Sequence, residues 1–305
     1  MTPDPDQLKS ILNAYLHNVQ ECAAVLKEFA KTAGLHPITP DTTEVQKDDT
    51  SDPKATSSQP MVESDSARTA EISGAVVDLG RSRRCGFPEV VFAEGKPADL
   101  VLKIFEQQSM AGQSSFATRV SDQHVAAVRR RFPQAEHHAV ARTLLLAVPN
   151  RSSAESVTPF EQTTVRDQTP VVCIVTAGSC DAAVAFEASE TLRWMKIPHR
   201  VIEDVGVAGP QRLLQHVPLL RQMRAVVCVA GMEAALPSVL GGHVSCPVIG
   251  VPTSVGYGAS FAGVTAMLSM LTCCASNVVT VNIDAGFRGG YVAGLIASQA
   301  VPTVR

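Results

Sequence analysis

Residues Cys228–Tyr257 read CVAGMEAALPSVLGGHVSCPVIGVPTSVGY, and their rhythm decides the fold. An apolar run, Ala225–Ala230, ends at Gly231-Met232-Glu233 and is followed by a helix-compatible stretch. A second run, Pro247–Val251, ends at Pro252-Thr253-Ser254 and passes into Val255-Gly256-Tyr257-Gly258. The spacing predicts strand, loop, helix, strand, loop, with small residues at both strand exits. In an open parallel sheet ligands lie beyond the carboxyl ends of strands, where glycine allows close backbone approach. Two such exits in succession predict one wall of a pocket.

Working outward, similar runs occur at Val171–Val175, Arg200–Ile202 and Val278–Ile283, separated by longer helix-compatible segments. Runs without polar alternation suit strands buried on both faces, and alternation with helices implies right-handed crossovers. The fold class is therefore α/β, a flavodoxin-like doubly wound parallel sheet over residues 170–305. Its other exits are Thr176-Ala177-Gly178-Ser179-Cys180-Asp181 and Glu203-Asp204-Val205-Gly206-Val207-Ala208-Gly209-Pro210-Gln211-Arg212. Asp181 is placed to cap the next helix, a start that favours anions. The convergence predicts a nucleotide-like or phosphate-bearing ligand held by Thr176, Gly178, Ser179, Gly206, Val207, Ala208, Gly209, Arg212, Gly231, Met232, Pro252, Thr253, Ser254 and Tyr257. Neither GxGxxG nor GxxxxGK[ST] occurs, which disfavours ordinary Rossmann and P-loop sites.

Upstream, Leu8–Ala33 keeps one apolar face at helical spacing, so residues 1–35 are predicted to be an amphipathic helix. Residues 36–70, rich in Thr, Asp, Ser, Pro and Lys, have too little apolar surface to offset ordering entropy and read as a flexible linker. Residues 71–150 read as a small N-terminal α/β domain, with a helix at Pro97–Gln108, a strand at Phe116–Val120, a helix at Ser121–Phe132 and a strand at Leu144–Val148. At its corner Arg81, Arg83 and Arg84 fall between apolar stretches, and Arg81 and Arg84 suit capture of phosphate or carboxylate. Asn150–Thr169 reads as an inter-domain connection.

The 305 residues carry a formal net charge of −3 and are 45% hydrophobic, which allows one or two packed domains and gives no support for nucleic-acid binding. No apolar run approaches the ~20 residues that span a bilayer. The opening MTPDPDQLK carries acid where a signal peptide needs basic residues, so a cytoplasmic location is expected. Eight cysteines in a chain this long suit a reducing compartment. No pair has structural-zinc spacing, and metal ligands stay unassigned.

TAGSCD (176–181), DVGVAG (204–209), AGMEAALPSVLGG (230–242), PVIGVPTSVGYG (247–258) and VNIDAGF (281–287), with RSRRCGFPEVVFAEGK (81–96) upstream, resemble the LarB family. Members are pyridinium-3,5-biscarboxylic acid mononucleotide synthases of nickel-pincer cofactor synthesis, and their second half is PurE-like. The resemblance implies carboxylation of nicotinic acid adenine dinucleotide with CO2 or bicarbonate, and hydrolysis of its phosphoanhydride to release AMP. It implies a cysteine thiolate that adds to the ring carbon para to nitrogen and makes the neighbouring carbon nucleophilic. Cys274, in Cys273-Cys274-Ala275, matches that cysteine. Glu233 is the candidate base, or a ligand of metal-bound water, and otherwise a first-turn helix partner; Asp181 is at the ligand. Mg²⁺ is expected, with no organic cofactor, and a homo-oligomer with small-molecule substrates. Gly80 and Gln211 stand where the family has histidines. The alternatives are a PurE-type aminoimidazole ribonucleotide carboxylase or mutase, and an inactive nucleotide-binding protein.

Overall fold

A computed structural model describes residues 68–147 and 170–299. The expected helix at 1–35, nearly all of the expected linker, and the connection at 150–169 lie outside the described residues.

The first lobe opens with a hairpin, β1 (Thr69–Ile72) against β2 (Ala75–Asp78), turning at Gly74 with φ 96°. The short helix α1 (Arg81–Cys85) follows and ends at Gly86 in the left-handed region. A four-stranded mixed sheet then forms in the order β3 (Val90–Phe92), β4 (Ser115–Thr118), β6 (Thr143–Leu146), β5 (Glu136–His138). Helices α2 (Ala98–Met110) and α3 (Asp122–Arg131) cover it. Pro97 stays outside α2, and Ser121 begins α3 with a capping box closed by His124. The strand expected at Phe116–Val120 stops at Thr118 because Arg119 turns left-handed, with φ 58°. Phe105, Phe116 and Leu144 are fully buried in this lobe.

The second lobe is a five-stranded sheet in the order β8 (His199–Ile202), β7 (Val172–Thr176), β9 (Ala225–Ala230), β10 (Val248–Pro252), β11 (Val278–Thr280). Every pairing is parallel. Numbered from β7, the order is 2-1-3-4-5, the flavodoxin-like arrangement, whose direction of winding reverses between β7 and β9. All residues of β7, β9 and β10 are buried, as their uninterrupted apolar runs require. Alternation divides them between two layers. Val172, Ile174, Val227 and Ile249 face α4 (Ala182–Trp194) and α9 (Gly286–Ser298). Cys173, Val175, Val226, Cys228 and Val248 face Leu213 of α5 (Pro210–Leu214), Leu220 of α6 (Val217–Leu220), Leu240 of α7 (Leu236–Gly241) and Met270 of α8 (Val264–Leu271). The edge strand β11 is shorter than its apolar run. Val281 N–H still bonds Gly250 O at 3.0 Å, but the chain then turns at Asp284, with φ 53°.

The lobes share a wall of aromatic side chains. Phe116 of β4 stacks on Trp194 of α4 with ring centroids 5.5 Å apart, and Phe87 sits edge-on to Tyr291 of α9 at 5.8 Å. Arg193 crosses the seam to Glu136 at 2.6 Å and also binds Glu190. Among the described residues no helix is long and apolar enough to cross a membrane.

The packing of α4 on α9 depends on glycine. A Cβ at Gly290 would lie 2.6 Å from the Ala188 carbonyl oxygen, a fixed backbone atom. At Gly294 the obstructing atoms, at 2.4 and 2.6 Å, are the end of the Met195 side chain, which can move. Alanine gains about 0.8–1 kcal/mol of helix propensity at either site. Overpacking costs about 1–3 kcal/mol where neighbours are rigid. Gly290→Ala therefore lowers the unfolding midpoint and Gly294→Ala leaves it level or raises it. Thermal unfolding of the two variants checks this, and equal shifts would refute the rigid-contact argument.

Candidate functional site

At the carboxyl edge of the second sheet, the loops leaving β7, β8, β9 and β10 enclose a cleft of about 340 Å³. It lies at the point where the winding reverses, where open α/β sheets bind ligands. Small residues make its walls because the loops run in contact. A Cβ at Gly206 would fall 2.6 Å from Ala177 O, and one at Gly231 would fall 2.4 Å from Val255 O and 2.6 Å from Thr253 Oγ1.

Asp181 anchors the floor and is 3% exposed. One carboxylate oxygen accepts the Gly178 N–H at 2.9 Å and the other accepts the Thr253 hydroxyl at 2.8 Å. Burial pushes its pKa up, the Asp284 charge adds to that rise, and the hydrogen bonds oppose it. A carboxyl held in this way can give or take a proton nearer neutrality than an exposed one. Its side chain does not cap α4 as expected; it reaches back to Gly178 across a one-turn 3₁₀ segment, Ser179–Asp181.

On one side, Thr176 Oγ1 accepts the Asp204 N–H at 2.9 Å, fixing a left-handed Asp204 whose carboxylate meets Arg212 at 2.7 Å. Gly209 leaves room for that arginine, whose Nε lies 2.7 Å from where a Cβ would be. On the other side, Met232 and Ala234 both have positive φ, 53° and 51°, and Met232 N–H bonds Val255 O at 2.9 Å. Glu233 sits between them, exposed at the cleft. It is not in a helical first turn, because α7 starts only at Leu236.

Of the residues expected at the ligand, Gly178, Ser179, Asp181, Gly206, Val207, Ala208, Arg212, Gly231, Met232 and Glu233 line the cleft together. Thr176, Pro252 and Thr253 are buried behind it and act through the loops. Ser254 turns its N–H to the Asp284 carboxylate at 2.8 Å, and Tyr257 is 81% exposed outside the lining. Arg81 and Arg84 do not line it either; both are on α1 of the first lobe, and Arg84 meets Asp78 at 2.5 Å.

Cys274 requires the plainest correction. It follows α8 and precedes β11, and so lies at the amino edge of a parallel sheet whose cleft is at the carboxyl edge. Asn277 confirms the location by donating to the carbonyls of Gly241, Val244 and Cys246, which lead into β10. The length of β10, roughly 15 Å, separates this edge from the cleft of the same chain. Cys274 is exposed, while Cys273 lies 3.0 Å from Ser238 Oγ; both are free thiols.

Cleft residues not singled out from sequence include Cys180, Asp204 and Val255, with Asp284 beside them. Each lies in a strand-exit loop, so the exit rule alone could have found them. Among the described residues no three His, Cys, Asp or Glu side chains converge as a metal site.

Residues 69–148 match the LarB/PurE-like N-terminal domain, and residues 171–305 match AIR carboxylase. An uncharacterised protein of Methanocaldococcus jannaschii is 36% identical over 231 residues, covering 72% of this chain and 83% of that one. A probable N5-carboxyaminoimidazole ribonucleotide mutase of Methanobrevibacter smithii is 29% identical over 135 residues, 42% of this chain and 38% of that protein. The crystal structure of Treponema denticola PurE aligns with a TM-score of 0.35 at 21% identity, over 43% of this chain and 82% of that one.

A raised folded-state pKa means that stability present while Asp181 is protonated is lost as pH climbs through the raised value. Asp181→Asn cannot ionise. Its unfolding midpoint relative to wild type should therefore rise with pH from the ordinary carboxylate range up to the raised pKa, and level off above it. Thermal melts across that range check this; a pH-independent difference contradicts a burial-raised Asp181.

Proposed function

The chain belongs to the LarB/PurE-related family of carboxylase- and mutase-type enzymes, and from that premise we propose that it carboxylates the pyridinium ring of nicotinic acid adenine dinucleotide. The observation that carries this reading is the pairing, in one chain, of a LarB-type N-terminal domain with the carboxylase domain. A PurE-type mutase is the second reading, favoured by the partial likeness to the Methanobrevibacter smithii mutase.

The chemistry needs a nucleophile, a proton acceptor and a place for phosphates. A thiolate adds to the ring carbon para to nitrogen, which turns the pyridinium into a dihydropyridine with an electron-rich neighbouring carbon. That carbon forms the new C–C bond to CO2. A base removes its proton, the C–S electron pair returns to sulfur, and aromaticity is restored. Water then cleaves the phosphoanhydride, releasing AMP. Asp181 and Glu233 are the carboxylates available for proton transfer. The glycine-walled loops with Arg212 suit the phosphates. Mg²⁺, which binds through one or two carboxylates together with substrate phosphates, would neutralise phosphate charge, with Glu233 the cleft carboxylate open to it.

Cys274 supplies the sulfur, and since it does not reach the cleft of its own chain, it serves the cleft of a second copy. The surface beside it supports such an assembly: Leu268 and Leu271 of α8, which leads to Cys274, are 53% and 61% exposed. Unpartnered apolar residues of this size mark an interface.

Incubation of the full chain with the dinucleotide, bicarbonate and Mg²⁺, followed by mass analysis, should give AMP and the dicarboxylated mononucleotide. Cys274→Ala should abolish both and eliminate a transient thiol adduct. Mixing Cys274→Ala with Asp181→Asn subunits should restore roughly a quarter of wild-type activity, because one random pairing in four joins an intact cleft to an intact thiol. Equal product from wild type and Cys274→Ala, or from neither, rules the assignment out. Turnover of carboxyaminoimidazole ribonucleotide instead would establish the mutase reading.

A further inference from the structure

Arg119 belongs to the first lobe, yet its side chain ends in the second. It follows β4 in the left-handed region, with φ 58°, which aims the guanidinium across the seam. There it donates to the backbone carbonyl of Asp284, and its Nε lies 3.3 Å from Glu187 Oε1. Glu187 is on α4, with its side chain 5% exposed, and also accepts the Phe287 N–H at 3.2 Å at the start of α9.

Asp284 is the next link. It is also left-handed, with φ 53°, and its N–H bonds the Pro252 carbonyl at 2.8 Å. Its carboxylate accepts the Ser254 N–H at 2.8 Å, and the adjacent Thr253 donates its hydroxyl to Asp181 at 2.8 Å. Two non-glycine residues with positive φ, joined by a side chain from another lobe, are strained positions that persist only where their surroundings over-determine them. Neither Arg119 nor Asp284 touches the cleft itself.

We propose that Arg119 is a positioning residue for the cleft: by holding Asp284 it fixes the Thr253-Ser254 turn, and through that turn the carboxylate of Asp181. The first lobe is then part of the active structure because it supplies the brace. This rests on the reading of Asp181 as a proton-transfer carboxylate of the cleft.

The competing explanation is that Arg119 merely neutralises the buried Glu187. A lysine would serve that end, since it brings the charge, but its single ammonium cannot reproduce a planar fork that reaches a carboxylate and a carbonyl together. Two variants of the full chain separate the explanations. Arg119→Lys keeps the charge, and Arg119→Met combined with Glu187→Gln removes both charges and leaves none unpaired in the interior. For each, the readouts are the unfolding midpoint, kcat and KM on the dinucleotide over a pH series, and hydrogen exchange of the peptide covering Thr253–Gly258.

The expected result is a near-wild-type midpoint for Arg119→Lys, with kcat lowered about tenfold or more, KM little changed and the acid limb of the kcat–pH profile displaced. Exchange over Thr253–Gly258 should be at least several-fold faster, while the β1–β2 hairpin exchanges as before. Should Arg119→Lys fail to fold, the charge-free pair of substitutions is expected to give the same kinetic and exchange changes. Wild-type kcat, pH profile and exchange in a folded variant of either kind overturns the proposal. The exchange measurement needs no substrate. A wild-type protein inactive on the dinucleotide therefore refutes the function proposed above, and the brace is still decided by exchange.

Discussion

The cleft depends on one hydrogen bond, from the Thr253 hydroxyl to the buried carboxylate of Asp181. These residues leave β10 and β7, strands that are not neighbours, since β9 runs between them. The bond can pass over β9 only because the residue at its exit is Gly231, where a Cβ would sit 2.6 Å from Thr253 Oγ1. A methyl group there would push the two loops apart and leave a carboxylate in the interior with one partner fewer. The cost of burying a charge without its hydrogen bonds is several-fold larger than that of most surface changes. A single backbone position thus couples the geometry of the site to its protonation.

The two lobes meet in a way that supports the same place. An aromatic wall of Phe87, Phe116, Trp194 and Tyr291 fixes their separation, and the Arg193–Glu136 pair closes its polar side. Aromatic faces at this spacing contribute about 0.5–1.5 kcal/mol per pair beyond area burial. Arg119 crosses where that wall ends, close to the turn that holds Asp284.

Much of this was legible in the sequence. Five apolar runs without polar alternation gave the parallel sheet, and the small-residue exits predicted most of the cleft wall, from Gly178 to Glu233. What escaped is instructive. Met232 and Ala234 adopt left-handed backbone with no glycine to announce it, so Glu233 read as the start of a helix when it stands on a loop. Arg119 carried no signal, because its partners lie in another lobe and its conformation is set by tertiary contacts. Tyr257 was placed by chemical type, and nothing in its neighbourhood foretold that it would point to solvent. Cys274 was assigned by motif with no account of which cleft it could reach, and a simple rule places it away from the cleft of its own chain. A residue just before a strand of a parallel sheet lies at the amino edge, opposite the loops that bind.

The shared aromatic wall also bears on inheritance. Doubly wound sheets are commonly portable units that can be fused, lost or exchanged between chains. Here Trp194, 7% exposed, packs against Phe87 and Phe116 of the other lobe, and Glu187 is paired from outside its own lobe. Separated from its companion, the carboxylase half would present a bare indole, the Tyr291 ring and an orphaned acid to water. Any companion lobe set against this half would have to match the shape of that seam and bring a cation to Glu187.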